Sequence, residues 1–97
     1  SPISMARHAP ALVLWAAMFG VQRGDVLKLR ILDPAGSAVA VREVRLDRSQ
    51  AWRMEASGRK MPVSGWQAGG WKGEAVLQRF VNGRTINRTI IVPLIIK

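Results

Sequence analysis

The stretch "DVLKLRILDPAG", residues 25–36, carries the reading of the fold. Leu27, Leu29 and Ile31 occupy every second position, with Lys28 and Arg30 between them. A side-chain period of two places the three aliphatics on one face of an extended chain and the two cations on the other. That is the pattern of a half-buried strand. The strand runs into a turn, because Pro34 restricts its own φ and Gly36 stands where a turn favours glycine.

The same unit of short strand and turn recurs on both sides. Upstream, "ALVLWAAMFGV" (residues 11–21) is the longest apolar run. It is shorter than the roughly 20 residues a membrane-crossing helix needs, so no transmembrane segment is expected. With Arg7 and His8 ahead of it, the run has the look of a signal-peptide core. Met5 is internal, however, and "QRGD" follows with no small-residue cleavage site, so the run reads as a buried strand. Downstream, "AVAVREVRL" (residues 38–46) puts Val39 and Val41 on one face and Val44 and Leu46 in the opposite phase. A bulge near Arg42 and Glu43 would restore the register. In "AWRMEA" (residues 51–56) the alternation places Trp52, Met54 and Ala56 on the inner face. Truncating Trp52 to Ala is then expected to cost about 3–5 kcal/mol.

The strongest local signal is Asn82 and Gly83, a hairpin turn between "GEAVLQRFV" and "RTINRTIIVPLII". Ile90, Val92, Leu94 and Ile96 share a face of the second strand. Pro93 cannot donate to a ladder and points to an edge or a bend. The apolar "LII" near the end should pack. No segment shows a capped 3.6-residue apolar period. About seven short strands predict an all-β fold, an antiparallel immunoglobulin-like β-sandwich over residues 11–97. Residues 1–10, with two prolines and no periodicity, read as a linker from an upstream region.

Composition bounds the chemistry. The chain has 97 residues, enough for one domain, and 48% of them are hydrophobic. Fifteen Lys and Arg face six Asp and Glu, a net charge of +9, so anionic partners are favoured. There is no cysteine and one histidine, His8. A zinc site of the His/Cys type and a nucleophile–histidine arrangement both need more than this. The glycines at 65–73 lack the spacing of either nucleotide-binding fingerprint. No catalytic, metal-binding or cofactor-binding residue is therefore assigned, and the chain is not expected to be an enzyme by itself. Asp25 and Asp33 read as strand-end residues in turn roles. Asn87 to Thr89 match the glycosylation pattern, but a strand is the simpler reading.

The candidate surface lies in "GRKMPVSGWQAGGWKG", residues 58–73. Trp66 and Trp71 admit two readings. They can plug one end of the core, with the glycines letting the chain turn tightly. Alternatively they can form an aromatic platform beside Arg59, Lys60 and Lys72, stacking on sugar rings or bases while the cations hold an anion. Trp15 and Trp52 lie on strand patterns and read as core.

Residues 12–40, "LVLWAAMFGVQRGDVLKLRILDPAGSAVA", and 58–79, "GRKMPVSGWQAGGWKGEAVLQR", resemble a domain that follows the catalytic domain in some bacterial lysostaphin-type (LytM-like) zinc metallopeptidases, which cleave peptidoglycan cross-links. The points of likeness are the apolar strand ending at Phe19 and Gly20, Gly24 with Asp25, the turn at 33–36, Arg59 and Lys60 with Pro62, and Gly65-Trp66-x-x-Gly69 leading to Gly73 and Glu74. In those enzymes the zinc ligands are two histidines and an aspartate in a separate domain. No His-x-His is present here, so no catalytic residue carries over. The resemblance implies an accessory domain in the periplasm or cell envelope. Its partners would be an upstream catalytic domain of the same protein and peptidoglycan or another anionic envelope polymer. The alternative is a basic β domain that binds nucleic acid or an acidic protein. Nucleic acid is the weaker choice, since no RNA-recognition signature of strand aromatics is present.

Overall fold

The backbone follows the alternation into seven strands. The computed structural model describes residues 3–97, and part of the expected linker, Ser1 and Pro2, lies outside them. The strands are β1 (Ile3–Met5), β2 (Ala11–Val21), β3 (Val26–Leu32), β4 (Ala38–Arg45), β5 (Gln50–Lys60), β6 (Gly69–Val81) and β7 (Arg84–Ile96). Five of them form one sheet in the order β1-β7-β6-β3-β4, and β2 pairs with β5 in a second. The expectation of a purely antiparallel fold needs one correction, because β1 runs parallel to β7, Ile3 to Met5 opposite Leu94 to Ile96. The described part of the expected linker is thus a sheet strand followed by a packed turn, in which Ala9 N–H donates to Ala6 O. Its apolar residues Met5 and Ala9 pack on the core, which a free linker would not allow.

The core fills the space between the sheets in two adjoining halves. Met18, Val21, Leu27, Leu29 and Leu46 make one; Leu12, Ile31, Trp66, Trp71 and Ile96 make the other; Leu14 touches both. Leu27, Leu29 and Ile31 are buried as their alternation requires. At the turn that follows, Asp33 Oδ1 accepts from the Ala35 and Ser37 amides, and Gly36 N–H donates to Asp33 O. The hairpin at Asn82 and Gly83 has positive φ at both residues, 50° and 75°, as its tight turn demands. It joins β6 and β7 from Val81 opposite Arg84 to Gly69 opposite Ile96. Pro93 sits at the sheet edge, just before the residues of β7 that pair with β1, and Ile96 is buried.

Three expectations about facing are corrected. Residues 11–21 form a half-buried strand: Leu12 and Met18 face the core, while Val13, Trp15 and Phe19 face outward. In β5, Trp52 is 52% exposed and Met54 44%, so the expected inner face is the outer one. Alternation groups residues by face without saying which face is covered. Here the covered side of β5 is polar, with Ser57 buried and Glu55 ion-paired. In β4 the irregularity lies where Ile31 opposite Ala40 gives way to Leu32 opposite Ala38. The extra residue is Val39, three positions before Arg42. The early bulge turns Val41 outward, 62% exposed, and leaves Val44 and Leu46 toward the core without a second break.

Candidate functional site

Trp66 and Trp71 are held at one end of the core. Their rings meet edge to face, centroids 5.7 Å apart at 88°. Each indole N–H is satisfied: Trp66 Nε1 donates to Ala9 O and Trp71 Nε1 to Gln67 O, both at 2.8 Å. The approach to Trp66 needs Gly65, which has φ +78° and lies so close to Arg7 O that a Cβ would sit 3.3 Å from it. Trp66 N–H then donates to the same Arg7 O. With exposures of 2% and 4%, neither ring offers a free face to a sugar or a base. The pair is a plug, the first of the two readings, and not an aromatic platform.

The other candidates go to three places. Arg59 lines a depression of about 410 Å³ with Arg7, Ser64 and Gln67, over the edges of the two buried indoles. Lys60, opposite Ala11 at the end of β5, shares by alternation the outer face of Trp52 and Met54. Lys72 is on β6, opposite Leu32 and Pro93 in the five-stranded sheet. The five residues of the candidate surface are therefore not one site.

An aromatic surface does exist, on the outer face of β2 and β5. Phe19 lies directly opposite Trp52, Ala17 opposite Met54, Trp15 opposite Ala56 and Val13 opposite Gly58. Phe19 is 76% exposed and Trp15 65%. Trp15 and Phe19 are four residues apart on one strand, about 13 Å. The result is a ribbon with aromatic rings near both ends, an apolar middle and Lys60 beyond. Large contiguous exposed apolar patches mark contact surfaces. A signal for this ribbon was present in residues 11–21. Both parities of that run are apolar, which gives the strand two apolar faces, and only one of them faces this domain's core. Arg7 was missed because its segment was read as a linker.

The far end of the core is closed by charge. Asp25, 2% exposed, accepts from Arg79 Nε at 3.0 Å, from Arg79 Nη2 at 2.8 Å and from the Gln22 amide at 2.8 Å. Arg79 Nη2 also donates to Gly20 O. The Arg79 hydrogen bonds hold the Asp25 carboxyl below the usual carboxylate range, against the opposing pull of burial. A second carboxylate, Glu55, is lowered chiefly by Arg53, which donates to Glu55 Oε1 at 2.6 and 3.0 Å. Arg42 reaches Glu55 Oε2 from β4 at 3.3 Å. Both carboxylates are structural ion-pair partners. Among the described residues, no three His, Asp or Glu side chains gather as a metal site, and no helix is long and apolar enough to cross a membrane.

No protein-family model matches the chain, and neither the curated proteins nor the solved structures provide a match. What the geometry defines is a small two-sheet β protein with one exposed aromatic face.

Proposed function

We propose that this chain is a non-catalytic accessory domain of immunoglobulin-like β-sandwich type, belonging to a bacterial cell-envelope peptidase, and that it binds the glycan of peptidoglycan. The sandwich type is supported by strand order. The second and fifth strands pair in one sheet and the third, sixth and seventh in the other, as in immunoglobulin-type sandwiches, while β1 and β4 depart from the constant-type distribution by joining the larger sheet. The parent class and its periplasmic or envelope setting rest on the resemblance of residues 12–40 and 58–79 to the accessory domain of lysostaphin-type peptidases.

The observation that carries the binding reading is the ribbon of Trp15, Phe19, Trp52 and Met54. Rigid aromatic faces in water present a large contact area at low cost in side-chain entropy. Rings spread along an extended ribbon suit an extended polymer. Lys60 at the end of the ribbon, and the net charge of +9, suit the carboxylates that peptidoglycan carries. The basic charge supports nucleic acid less well, because the cations are dispersed. Arg30, Arg42, Arg53 and Arg79 are already ion-paired, and by alternation Lys28 and Lys72 face out of the five-stranded sheet, while Arg88 lies on its core-facing side and Arg59 lines the depression beside Trp66.

Co-sedimentation with purified, insoluble peptidoglycan tests this. The chain should be retained, and Trp15→Ala with Trp52→Ala should release it while leaving the unfolding midpoint nearly unchanged. Retention should survive added salt, whereas nucleic-acid binding would fall steeply with salt. A chain that is not retained, or a double variant retained as well as its parent, refutes the proposal.

A further inference from the structure

The two sheets are unequal, five strands against two. On one side β5 approaches β4, and the Arg42–Glu55 ion pair spans the gap. On the other side β2 and β7 do not come together. Among the described residues, the edge of β2 away from β5 has no strand, and β7 is paired beyond β6 only where β1 meets residues 94–96. Between these two free edges runs an apolar groove of about 270 Å³. Leu14 and Met18 form one wall, Gly73 and Ala75 the floor, and Ile90 and Val92 the far lip. Ile90 and Val92 share the face of buried Ile96 by alternation, yet Ile90 is 66% exposed. An aliphatic side chain on the core-facing side of a sheet, left in water, lacks the strand that would cover it. Gly73, opposite Val92, makes way for Leu14, which a Cβ there would meet at 2.8 Å, and Ala75, opposite Ile90, keeps the floor low beside it.

We propose that this groove receives an extended, acidic-apolar segment of a partner protein, which adds as a strand along the free edge of β2. The edge supplies unpaired backbone N–H and C=O groups, and alternate apolar side chains of the guest cover Ile90 and Val92. Residues 14–19 of β2 line the groove, a span of about 20 Å, enough for six guest residues.

Charge selects the guest. Arg88 projects into the groove between Ile86 and Ile90 and makes no ion pair among the described residues. Arg84 lies on the same strand, and β7 contains no carboxylate. No carboxylate lines the groove. A second copy of this chain would bring another Arg88 and another +9, so edge-to-edge self-pairing is opposed while an acidic segment is attracted.

The test is titration of the whole chain with two labelled synthetic octapeptides, one of alternating valine and glutamate, one of alternating valine and lysine, followed by fluorescence anisotropy. The glutamate peptide should bind and the lysine peptide should not. Arg88→Glu and Ile90→Lys alter exposed side chains and should each weaken binding by about tenfold or more. Trp52→Ala, on the outer face used for glycan, should leave peptide affinity unchanged, so this reading and the glycan reading fail separately. N-methylation of the glutamate peptide at alternate residues should abolish binding, because it removes the donors that pair with β2. Absence of glutamate-peptide binding, equal binding of both peptides, or full affinity in Ile90→Lys overturns the proposal. So does a concentration-dependent dimer in sedimentation velocity that Ile90→Lys dissolves, since the groove would then serve a second copy.

Discussion

Asp25 keeps its charge at 2% exposure because every approach to it is a donor: two from Arg79 and one from the Gln22 amide. A folded-state pKa below the unfolded value means that the unfolded chain takes up protons first as pH falls. The stabilisation is therefore complete above the unfolded value of about 4 and is lost as pH drops through the folded value. Urea unfolding midpoints measured from about pH 6 to about pH 2 should fall across that window. Asp25→Asn should flatten part of the slope and cost about 2–3 kcal/mol at neutral pH. That is below the range for fully enclosed pairs, because the Arg79 side chain is 30% exposed and partly solvated without its partner. The tryptophans separate just as sharply. Trp66→Ala removes a ring at 2% exposure together with its bond to Ala9 O and should cost about 3–5 kcal/mol. Trp52→Ala should cost under about 1 kcal/mol, the reverse of what its strand pattern predicts. Denaturant midpoints of the two variants decide the matter.

At the scale of elements, β7 is the exposed liability of the fold. Thirteen residues long, it lies at the sheet edge from 84 to 93, with Ile86, Ile90, Ile91 and Val92 in water. Arg84, Arg88 and Pro93 interrupt the apolar run. Inward-pointing charges and prolines on edge strands discourage edge-to-edge pairing. Replacing Arg88 with Val should leave the hairpin intact, since its turn at Asn82 and Gly83 is untouched, but should promote self-association. Static light scattering against concentration would register it, and a monodisperse Arg88→Val protein would mean that Arg88 is not the guard. β3 and β5 were legible because each carries a period of two, and the hairpin because Asn82 and Gly83 take up positive φ cheaply; β1, without a period, was not. The bulge in β4 was legible only as a phase conflict. A bulge at Arg42 would have turned both valine pairs inward, but the pairing of β4 with β3 places it at Val39 and leaves Val41 in water.

Across the whole molecule, the two long sides between the sheets are built differently. One is closed by ions, with Glu55 between Arg42 and Arg53, and the other is left apolar and open between β2 and β7. The two ends differ as well: a tryptophan pair plugs one, and the Asp25–Arg79 pair closes the other. The all-β character, the half-buried β3, the turn at residues 33–36 and the hairpin before β7 were determined by the sequence alone. Each depends on φ preferences and side-chain alternation within a few residues. Which face of β5 is covered, that residues 3–5 join β7, and that the aromatic face comes from Trp15, Phe19 and Trp52 while Trp66 and Trp71 are buried, were decided only by the tertiary structure. A period of two defines two faces and is silent on which one meets a partner. That partner arrives from far along the chain: Arg42 for Glu55, Arg79 for Asp25, Ala9 for Trp66.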